Sequence, residues 1–263
     1  MAIDHRMRNR IVDALCATLK PLPDVLAGWE GGSAAFDALD DYSDIDLNFL
    51  VTADAQLDTL YLSAEESLAN VSPIILRHAS PPGCYYKLKD TSEFLLVDLC
   101  FFRAGAPEQN LEVERHGNGR QLFDKGGWLR PQSVDDIYLA SKRQKRLMEL
   151  QSWFSASQSF VRKAILRGQH AEALASFWGY TLRPLVEILR LRYCPIRWDF
   201  GMRYLDRDLP PAVYGQICEL MFVRSLEDLE CKLLEGSEWG RSLLKELDTP
   251  SEQLMLQRAA NSE

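Results

Sequence analysis

The sequence lacks a long apolar run, a cysteine motif for metal and an apolar leader. No stretch of the 263 residues approaches the roughly 18 apolar residues of a membrane-spanning helix. The six cysteines are scattered and form no CxxC pair, which argues against the common zinc sites and favours reduced thiols in a cytoplasmic protein. Three arginines near the amino terminus are followed by no apolar segment, so we predict no secretory signal peptide.

The chain also lacks an excess of positive charge. Its net charge of −8 argues against general nucleic-acid binding. The charge is uneven, at −8 over residues 1–133, +5 over 134–208 and −5 over 209–263. An acidic part and a basic segment suit a metal ion and a polyphosphate held between them, and they suit an ordinary solvated helix surface equally well. The four histidines lack ligand spacing, and no arginine and histidine are spaced as in a helical toxin-type RNase domain.

Two aspartates stand at the start of an apolar segment. Asp44 and Asp46 are two positions apart, where a strand is predicted over 45–51. Because side chains in a strand alternate between the two faces of a sheet, both carboxylates point to the same face. Two like charges repel each other unless a cation lies between them, and a divalent metal is the usual cation.

A glycine-rich turn precedes these aspartates, and a third aspartate follows them. Gly31, Gly32 and Ser33 offer a backbone that a ligand can approach closely and a hydroxyl group that suits a phosphate. Asp98 lies in a strongly apolar run, predicted as a strand over 94–102, where burial of an unpaired charge is unfavourable. The turn, the paired aspartates and the third aspartate together indicate a site for a metal and a triphosphate.

This arrangement resembles the nucleotidyltransferase superfamily of the DNA polymerase beta type. The family signature is a Gly-Ser turn, a spacer and an Asp-x-Asp pair, which stand here as Gly32, Ser33, Asp44 and Asp46. Asp98 matches the third carboxylate that the family carries on a later strand. The two-part layout described below is most similar to the small-molecule members, particularly the aminoglycoside adenylyltransferases linked to antibiotic resistance.

The resemblance implies roles for these residues. Asp44, Asp46 and Asp98 would hold one or two Mg²⁺ ions, and Gly32 and Ser33 would contact the β and γ phosphates of a nucleotide. Asp98 would either complete the metal site or take the proton of the acceptor hydroxyl. The sequence leaves both roles open.

The second half of the chain supplies further candidates. Of the clustered arginines, Arg192 and Arg197 are predicted to bind the triphosphate rather than Arg190, with surface salt bridges as the alternative. Glu187 is a second candidate for the base, with an exposed helix glutamate as the alternative. Four aromatic residues could stack on a base or sugar, although core packing is favoured for the first and third: Trp29, Tyr42, Trp178 and Trp198.

The periodicity of apolar residues predicts an α+β chain with two domains. Residues 1–132 are predicted to form a mixed-sheet nucleotidyltransferase domain, and residues 133–263 an all-helical bundle that binds substrate or nucleotide, with the active cleft between them. The glycine-rich segment 105–131 is predicted to be a loop and linker. The predicted strands are 25–29, 45–51, 73–77, 85–88 and 94–102, and the predicted helices are 4–19, 33–38, 55–70, 133–168, 171–193 with a kink at Pro184, 211–223 and 226–247.

These observations predict an enzyme that uses Mg²⁺ and an NTP. It would transfer a nucleoside monophosphate, AMP from ATP before the other nucleotides, to a hydroxyl of a small molecule such as an aminoglycoside-like compound, and release pyrophosphate. One alternative is nucleotidylation of a protein side chain, but the long helical half favours a small-molecule pocket. Another is a non-catalytic nucleotide-binding regulator, which the intact Asp44, Asp46 and Asp98 argue against. A tRNA- or poly(A)-type polymerase conflicts with the net charge.

Overall fold

A computed structural model of the chain describes residues 5–105 and 112–248. Within these ranges the chain divides into two units, one ending at Val134 and the other beginning at Asp135. The first contains a mixed sheet with helices, and every regular element in the described part of the second is helical. The predicted α+β class, with a helical C-terminal part, is confirmed.

The first unit is built on a six-stranded sheet. Its strands are β1 Val25–Glu30, β2 Ile45–Val51, β3 Ile74–Ser80, β4 Gly83–Leu88, β5 Val97–Arg103 and β6 Arg120–Asp124. They lie in the order β3-β4-β5-β2-β1-β6. The central pair, β2 and β5, is parallel, and the other neighbouring strands are antiparallel. The sheet therefore places β2 and β5, which carry the candidate aspartates, side by side at its centre.

Two helices cover one face of this sheet. They are α1 His5–Leu19 and α2 Leu57–Val71, and the short helix α3 Val113–His116 follows later. Apolar side chains of α1 and α2 form one core with Ile45, Leu47 and Phe49 of β2. The intervening residues of β2, Asp46 and Asn48, therefore point to the opposite face, where they are only partly buried.

One strand lies in the segment predicted to be a loop. That prediction for 105–131 is wrong over β6, which pairs with β1, and over the short helix α3. The strand is five residues long and contains only two apolar residues, Leu122 and Phe123, so its local pattern is weak. It forms because β1, about ninety positions earlier, offers unpaired backbone groups, and a contact so distant along the chain leaves little trace in local periodicity.

The helical unit contains five longer helices and one short one in its described part. They are α4 Asp136–Leu166, α5 His170–Phe177, α6 Arg183–Tyr193, α7 Leu205–Asp208, α8 Pro211–Met221 and α9 Leu226–Leu247. The bounds of α9 match the prediction, and the Ser225 hydroxyl caps it by accepting a hydrogen bond from the Asp228 backbone N–H at 3.2 Å. The α4 helix is capped by Asp135 rather than by the predicted Ser133.

The predicted helix over 171–193 is interrupted by a π-helical turn. The turn spans Trp178–Leu182, between α5 and α6, and Pro184 lies in the first turn of α6. Because proline has no backbone N–H, it cannot donate to the carbonyl of Tyr180 one turn earlier. The Gln158 side-chain amide of α4 donates to that carbonyl instead, at 2.9 Å. The predicted irregularity near Pro184 is thus present, and a side chain of α4 supplies the missing bond.

Candidate active site

Two of the candidate aspartates lie next to each other at the centre of the sheet. In the parallel pairing of β2 with β5, Asp46 is in register with Asp98. Side chains in register on neighbouring strands point to the same face, so the two carboxylates share one surface of the sheet. Asp44 stands two positions before Asp46, at the entrance to β2. The structure therefore brings Asp98 together with Asp44 and Asp46, from which it is separated by more than fifty positions in the sequence.

Burial and mutual repulsion make this cluster unfavourable for negative charge. Burial, with a further contribution from the charges of Asp44 and Asp98, raises the pKa of Asp46 from its usual 3.8 to about 7. Burial also raises the pKa of Asp98, although hydrogen bonds from Tyr85 and Cys100 partly oppose the shift. A positive charge placed at this cluster would lower these pKa values and would stabilise the ionised carboxylates.

The glycine-rich turn packs directly onto one of these carboxylates. Gly32 has a φ angle of +52°, and a Cβ atom at this position would lie 1.8 Å from Oδ2 of Asp46. Only glycine fits here, because it tolerates this backbone conformation and leaves room for the carboxylate. The Gly31 backbone N–H donates to the Asp46 carbonyl at 2.9 Å, which holds the turn against β2. The backbone of the turn is therefore fixed beside the acidic cluster.

The hydroxyl group of Ser33 is buried and has no hydrogen-bond partner within the described residues. Ser33 lies in a 3₁₀ turn over Gly32–Phe36. Buried hydroxyl groups are usually hydrogen-bonded. Together with the close approach of Gly32 to Asp46, this fits a turn that accommodates an oxygen-rich ligand, as the sequence predicts for Gly32 and Ser33.

Arg8 and Glu30, which are not among the sequence candidates, form an ion pair next to this site. Arg8 of α1 forms an ion pair with Glu30 at the end of β1, and both side chains are buried. Arg8 also donates to the backbone carbonyl of Asp44 at 3.4 Å, and Arg120 of β6 pairs with Glu30 at 3.2 Å. The Arg8–Glu30 pair thus connects the strand before the glycine turn to the backbone of Asp44.

A signal for Arg8 is present in the sequence. It stands three, four and seven positions before three buried residues of α1, which are Ile11, Val12 and Leu15. This spacing puts the arginine on the apolar face of the helix. A charged residue on such a face is a candidate for a buried ion pair, and Glu30, which ends an apolar strand, is its natural partner.

The acidic residues suit a metal ion that is bound jointly by the protein and a phosphate. They suit a metal ion bound by protein ligands alone less well. In the described part of the chain, no group of three His, Cys, Asp or Glu side chains has the geometry of a metal site. Mg²⁺ is commonly held by one or two carboxylates, with phosphate oxygens and water completing its shell. Asp46 and Asp98, in register and electrostatically unfavourable without a cation, provide such a pair.

The two arginines predicted to bind the triphosphate already have protein partners. Arg197 donates through Nε to Oδ1 of Asp208 at 3.1 Å, and Asp208 is also bound by Nη1 of the fully buried Arg190 at 2.6 Å. Arg192 is about two-fifths exposed and lies 3.9 Å from Glu246 in a loose ion pair. The role of Arg192 and Arg197 in nucleotide binding stays a prediction.

The other sequence candidates are divided between the two units. In the first unit, Trp29 is buried and stacks on Phe102, and Tyr42 is exposed. In the helical unit, Glu187, Trp178 and Trp198 all line one cavity of about 430 Å³. The carboxylate of Glu187 accepts a hydrogen bond from Nε of Arg146 at 2.7 Å, so it is held in an ion pair.

Comparisons with known proteins give distant structural matches. No protein-family model matches the sequence, and no curated protein matches it significantly. The fold is similar to that of an aminoglycoside 6-adenyltransferase from Bacillus subtilis, with 11% identity, a TM-score of 0.38 and 97% of each chain covered. It is also similar to the spectinomycin adenyltransferase AAD(9) from Enterococcus faecialis, solved with ATP and spectinomycin, with 15% identity, a TM-score of 0.36 and 98% of each chain covered.

A third similar structure is a CdnE c-di-GMP synthase from Capnocytophaga granulosa. It shows 18% identity and a TM-score of 0.32, over 94% of this chain and 85% of the synthase. Separately, no helix in the described residues is long and apolar enough to cross a membrane.

Proposed function

We propose that the protein is a nucleotidyltransferase that moves a nucleoside monophosphate from an NTP to a hydroxyl group. ATP is the proposed donor, and a small molecule such as an aminoglycoside-like compound is the proposed acceptor. The observation that carries this proposal is the register of Asp46 with Asp98 beneath a glycine turn that fits only without a side chain. Acidic residues beside a partly buried glycine turn suit a phosphorylated ligand that brings its own cation.

Each residue of the site has a task in this reaction. The backbone of Gly32 and the hydroxyl of Ser33 would bind the β and γ phosphates and orient the α-phosphorus. The acceptor oxygen would then form a bond to the α-phosphorus while the bond from that phosphorus to the bridging oxygen breaks, and pyrophosphate would leave. The Arg8–Glu30 pair would hold the backbone of Asp44 in place during this step.

The carboxylates would hold one or two Mg²⁺ ions, and Asp98 keeps two possible tasks. Asp44 and Asp46 are proposed as metal ligands, and the bound Mg²⁺ would supply positive charge that offsets the charge of the phosphates. Asp98 would either join them or accept the proton of the acceptor hydroxyl. Burial raises the pKa of Asp98 above its usual 3.8, and a carboxylate with a higher pKa is a better proton acceptor.

The test is release of pyrophosphate by the 263-residue chain. The protein is incubated with Mg²⁺, each of the four NTPs in turn and a panel of aminoglycosides and lincosamides, and pyrophosphate and the labelled product are measured. A product that combines the nucleotide with one panel member supports the small-molecule acceptor. A dinucleotide formed without any panel member would make a second nucleotide the acceptor.

Two further measurements distinguish the proposed function from protein nucleotidylation and from a non-catalytic regulator. Label transferred to protein, in an incubation with a cell extract, would favour nucleotidylation of a side chain. Tight Mg²⁺-dependent NTP binding without any product would favour a regulatory nucleotide-binding protein. The variant Asp46→Asn tests the proposed metal ligand and should lose activity. Asp54→Asn is its matched control, because Asp54 is an exposed aspartate of the same unit. The proposal fails if the wild-type chain neither binds nor consumes any of the four NTPs.

A further inference from the structure

We propose that the helical unit contains a second ligand site, a cavity that takes a small planar ligand carrying a carboxylate or phosphate group. The cavity has a volume of about 430 Å³ and lies entirely within this unit. Such a volume lies in the range of cavities that bind small molecules. Its lining includes two tryptophans, two arginines and two acidic residues: Trp178, Trp198, Arg146, Arg183, Glu187 and Asp199. This inference goes beyond the proposed function, because ligand binding here requires no transfer reaction.

Most of the charge around this cavity is already balanced by the protein. Arg146 donates through Nε to Glu187 at 2.7 Å and through Nη1 to Glu149 at 2.8 Å. The carboxylate of Glu187 is therefore neutralised by its neighbour and offers little attraction to an incoming amine. Asp199 also has an interaction partner of its own in the structure. A polycationic ligand would find no unpaired carboxylate among these lining residues.

Arg183 differs from the other charged residues of the lining. Its side chain is exposed, and within residues 5–105 and 112–248 it forms no ion pair or side-chain hydrogen bond. A guanidinium group has only donors and remains charged at all physiological pH values. It binds a carboxylate or phosphate through two parallel hydrogen bonds. Among the described residues, the cavity therefore carries one unpaired positive charge, on Arg183, and it would bind an anionic group.

Trp178 adds a requirement for a flat ring. It lies in the π-helical turn, lines the cavity and exposes about 42% of its surface, which leaves an indole face available for stacking. Trp198 also lines the cavity, but its Nε1–H group is buried, so the ligand would be recognised through the ring of Trp178 and the guanidinium of Arg183.

Two sources could supply this chemistry. One is a nucleotide, which combines a planar base with phosphate, and the other is an aromatic acid that serves as acceptor or effector. Binding is measured by calorimetry on the 263-residue chain in EDTA, because removal of divalent cations weakens nucleotide binding at the acidic cluster. The probes are AMP and 2-naphthoate, with 2-naphthamide and 2-naphthylmethylamine as neutral and cationic controls of the same ring.

The expected result is selective binding of the anions. 2-Naphthoate should bind at least about tenfold more tightly than the amide or the amine, because only the carboxylate forms a charge-assisted pair. Arg183→Gln should remove this preference, whereas Arg167→Gln, a change of an exposed arginine at the end of α4, should not. Trp178→Ala should weaken all three naphthyl probes, and Trp153→Ala, which changes another exposed tryptophan, should have no effect.

Each outcome decides the proposal or its ligand source. AMP that displaces 2-naphthoate and depends on Arg183 assigns the cavity to a nucleotide, and 2-naphthoate binding without AMP binding assigns it to an aromatic acid. Equal affinity for the three naphthyl probes, or unchanged 2-naphthoate affinity in Arg183→Gln, would overturn the proposal, as would the absence of binding by both anions. Since none of these readouts uses enzyme activity, they remain decisive if the proposed transfer reaction fails its own test.

Discussion

The two units of this chain both hold charged side chains away from water, but they balance the charge differently. In the helical unit, Asp208 is shared by Arg190 and Arg197, and the side chains of Asp208 and Arg190 are fully buried. In the sheet unit, Asp46 is in register with Asp98, and none of the described residues forms an ion pair with either carboxylate. One cluster is complete within the protein, and the other carries an excess of negative charge.

The difference separates a structural role from a functional one. A buried ion pair with both partners present loses stability when one partner is removed, but it offers nothing to a ligand. An unbalanced cluster destabilises the ligand-free fold and becomes favourable when a cation enters. The pKa of Asp46 is raised by burial first and by the charges of Asp44 and Asp98 second, and both penalties would be reduced by a cation. The predictions below test whether the imbalance belongs to function and the balance to stability.

The largest expected effect is on catalysis by the unbalanced cluster. Asp46→Asn should lower the rate of pyrophosphate release on the order of a hundredfold or more, since it removes a proposed metal ligand without changing the size of the side chain. It should also leave the fold intact and raise the thermal unfolding temperature of the metal-free protein, because one of the repelling charges is gone. Both are measured beside Asp54→Asn, which should resemble the wild type. Retention of more than a small fraction of activity would remove Asp46 from the metal site.

The next effect is on stability, in the balanced cluster. Arg190→Met should lower the free energy of unfolding by about 3–5 kcal/mol, because it breaks a fully buried ion pair with Asp208. It also removes the hydrogen bonds from this side chain to the backbone carbonyls of Gly201 and Arg197. Chemical denaturation measures the loss, with Arg192→Met as the matched control on the same helix.

The control should change little. Arg192 is exposed and its pair with Glu246 is loose, so its replacement should alter the free energy of unfolding by less than about 1 kcal/mol. Equal losses in the two variants would show that burial of the Arg190–Asp208 pair does not matter to stability. The balanced cluster would then have no special role in stabilising the fold.

Local sequence patterns predicted much of this fold because the elements concerned are locally determined. The β2 strand and α9 have the predicted bounds, since apolar alternation and a serine cap are properties of the segments themselves. The β6 strand and the Arg8–Glu30 pair escaped prediction because each depends on a partner far along the chain. The register of Asp46 with Asp98 belongs to this second kind, since no local pattern specifies which residues of two strands face each other.

A smaller effect concerns the nucleotide, and it tests whether all the arginines of the helical unit are purely structural. If Arg192 and Arg197 bind the triphosphate as predicted, replacement of either by Ala should weaken the affinity for a non-hydrolysable ATP analogue by about 10- to 100-fold. Calorimetry with Mg²⁺ measures this, and the exposed Arg162 of α4 supplies the control as Arg162→Ala. Unchanged affinity in both variants would return the two arginines to salt bridges.

Arg197 needs a second measurement, because it also binds the buried Asp208. Arg197→Ala should lower the unfolding temperature as well as the nucleotide affinity, whereas Arg192→Ala should lower the affinity alone. A loss of affinity confined to Arg197→Ala, in parallel with its loss of stability, would indicate an indirect effect through the fold.

The last expected effect is a dependence of stability on pH that distinguishes the two clusters without any ligand. In the folded protein the pKa of Asp46 is raised from 3.8 to about 7, so between these values the folded chain keeps a proton that the unfolded chain has lost. Stability must therefore fall as the pH rises through this window, and level off above about pH 7. Asp208 acts in the opposite direction, because its arginine partners lower its pKa, and its contribution is lost only as the pH falls below the usual range of a carboxyl group.

Denaturant unfolding in EDTA from pH 4 to pH 8 should show a shallower decline of stability for Asp46→Asn than for the wild type, whereas Asp54→Asn should retain the full decline. Because Asp46 and Asp98 interact, the difference between the wild type and Asp46→Asn reports the acidic cluster as a whole. An identical decline in Asp46→Asn would show that burial and the neighbouring carboxylates do not raise the pKa of Asp46, and the acidic site would then resemble the balanced cluster of the helical unit.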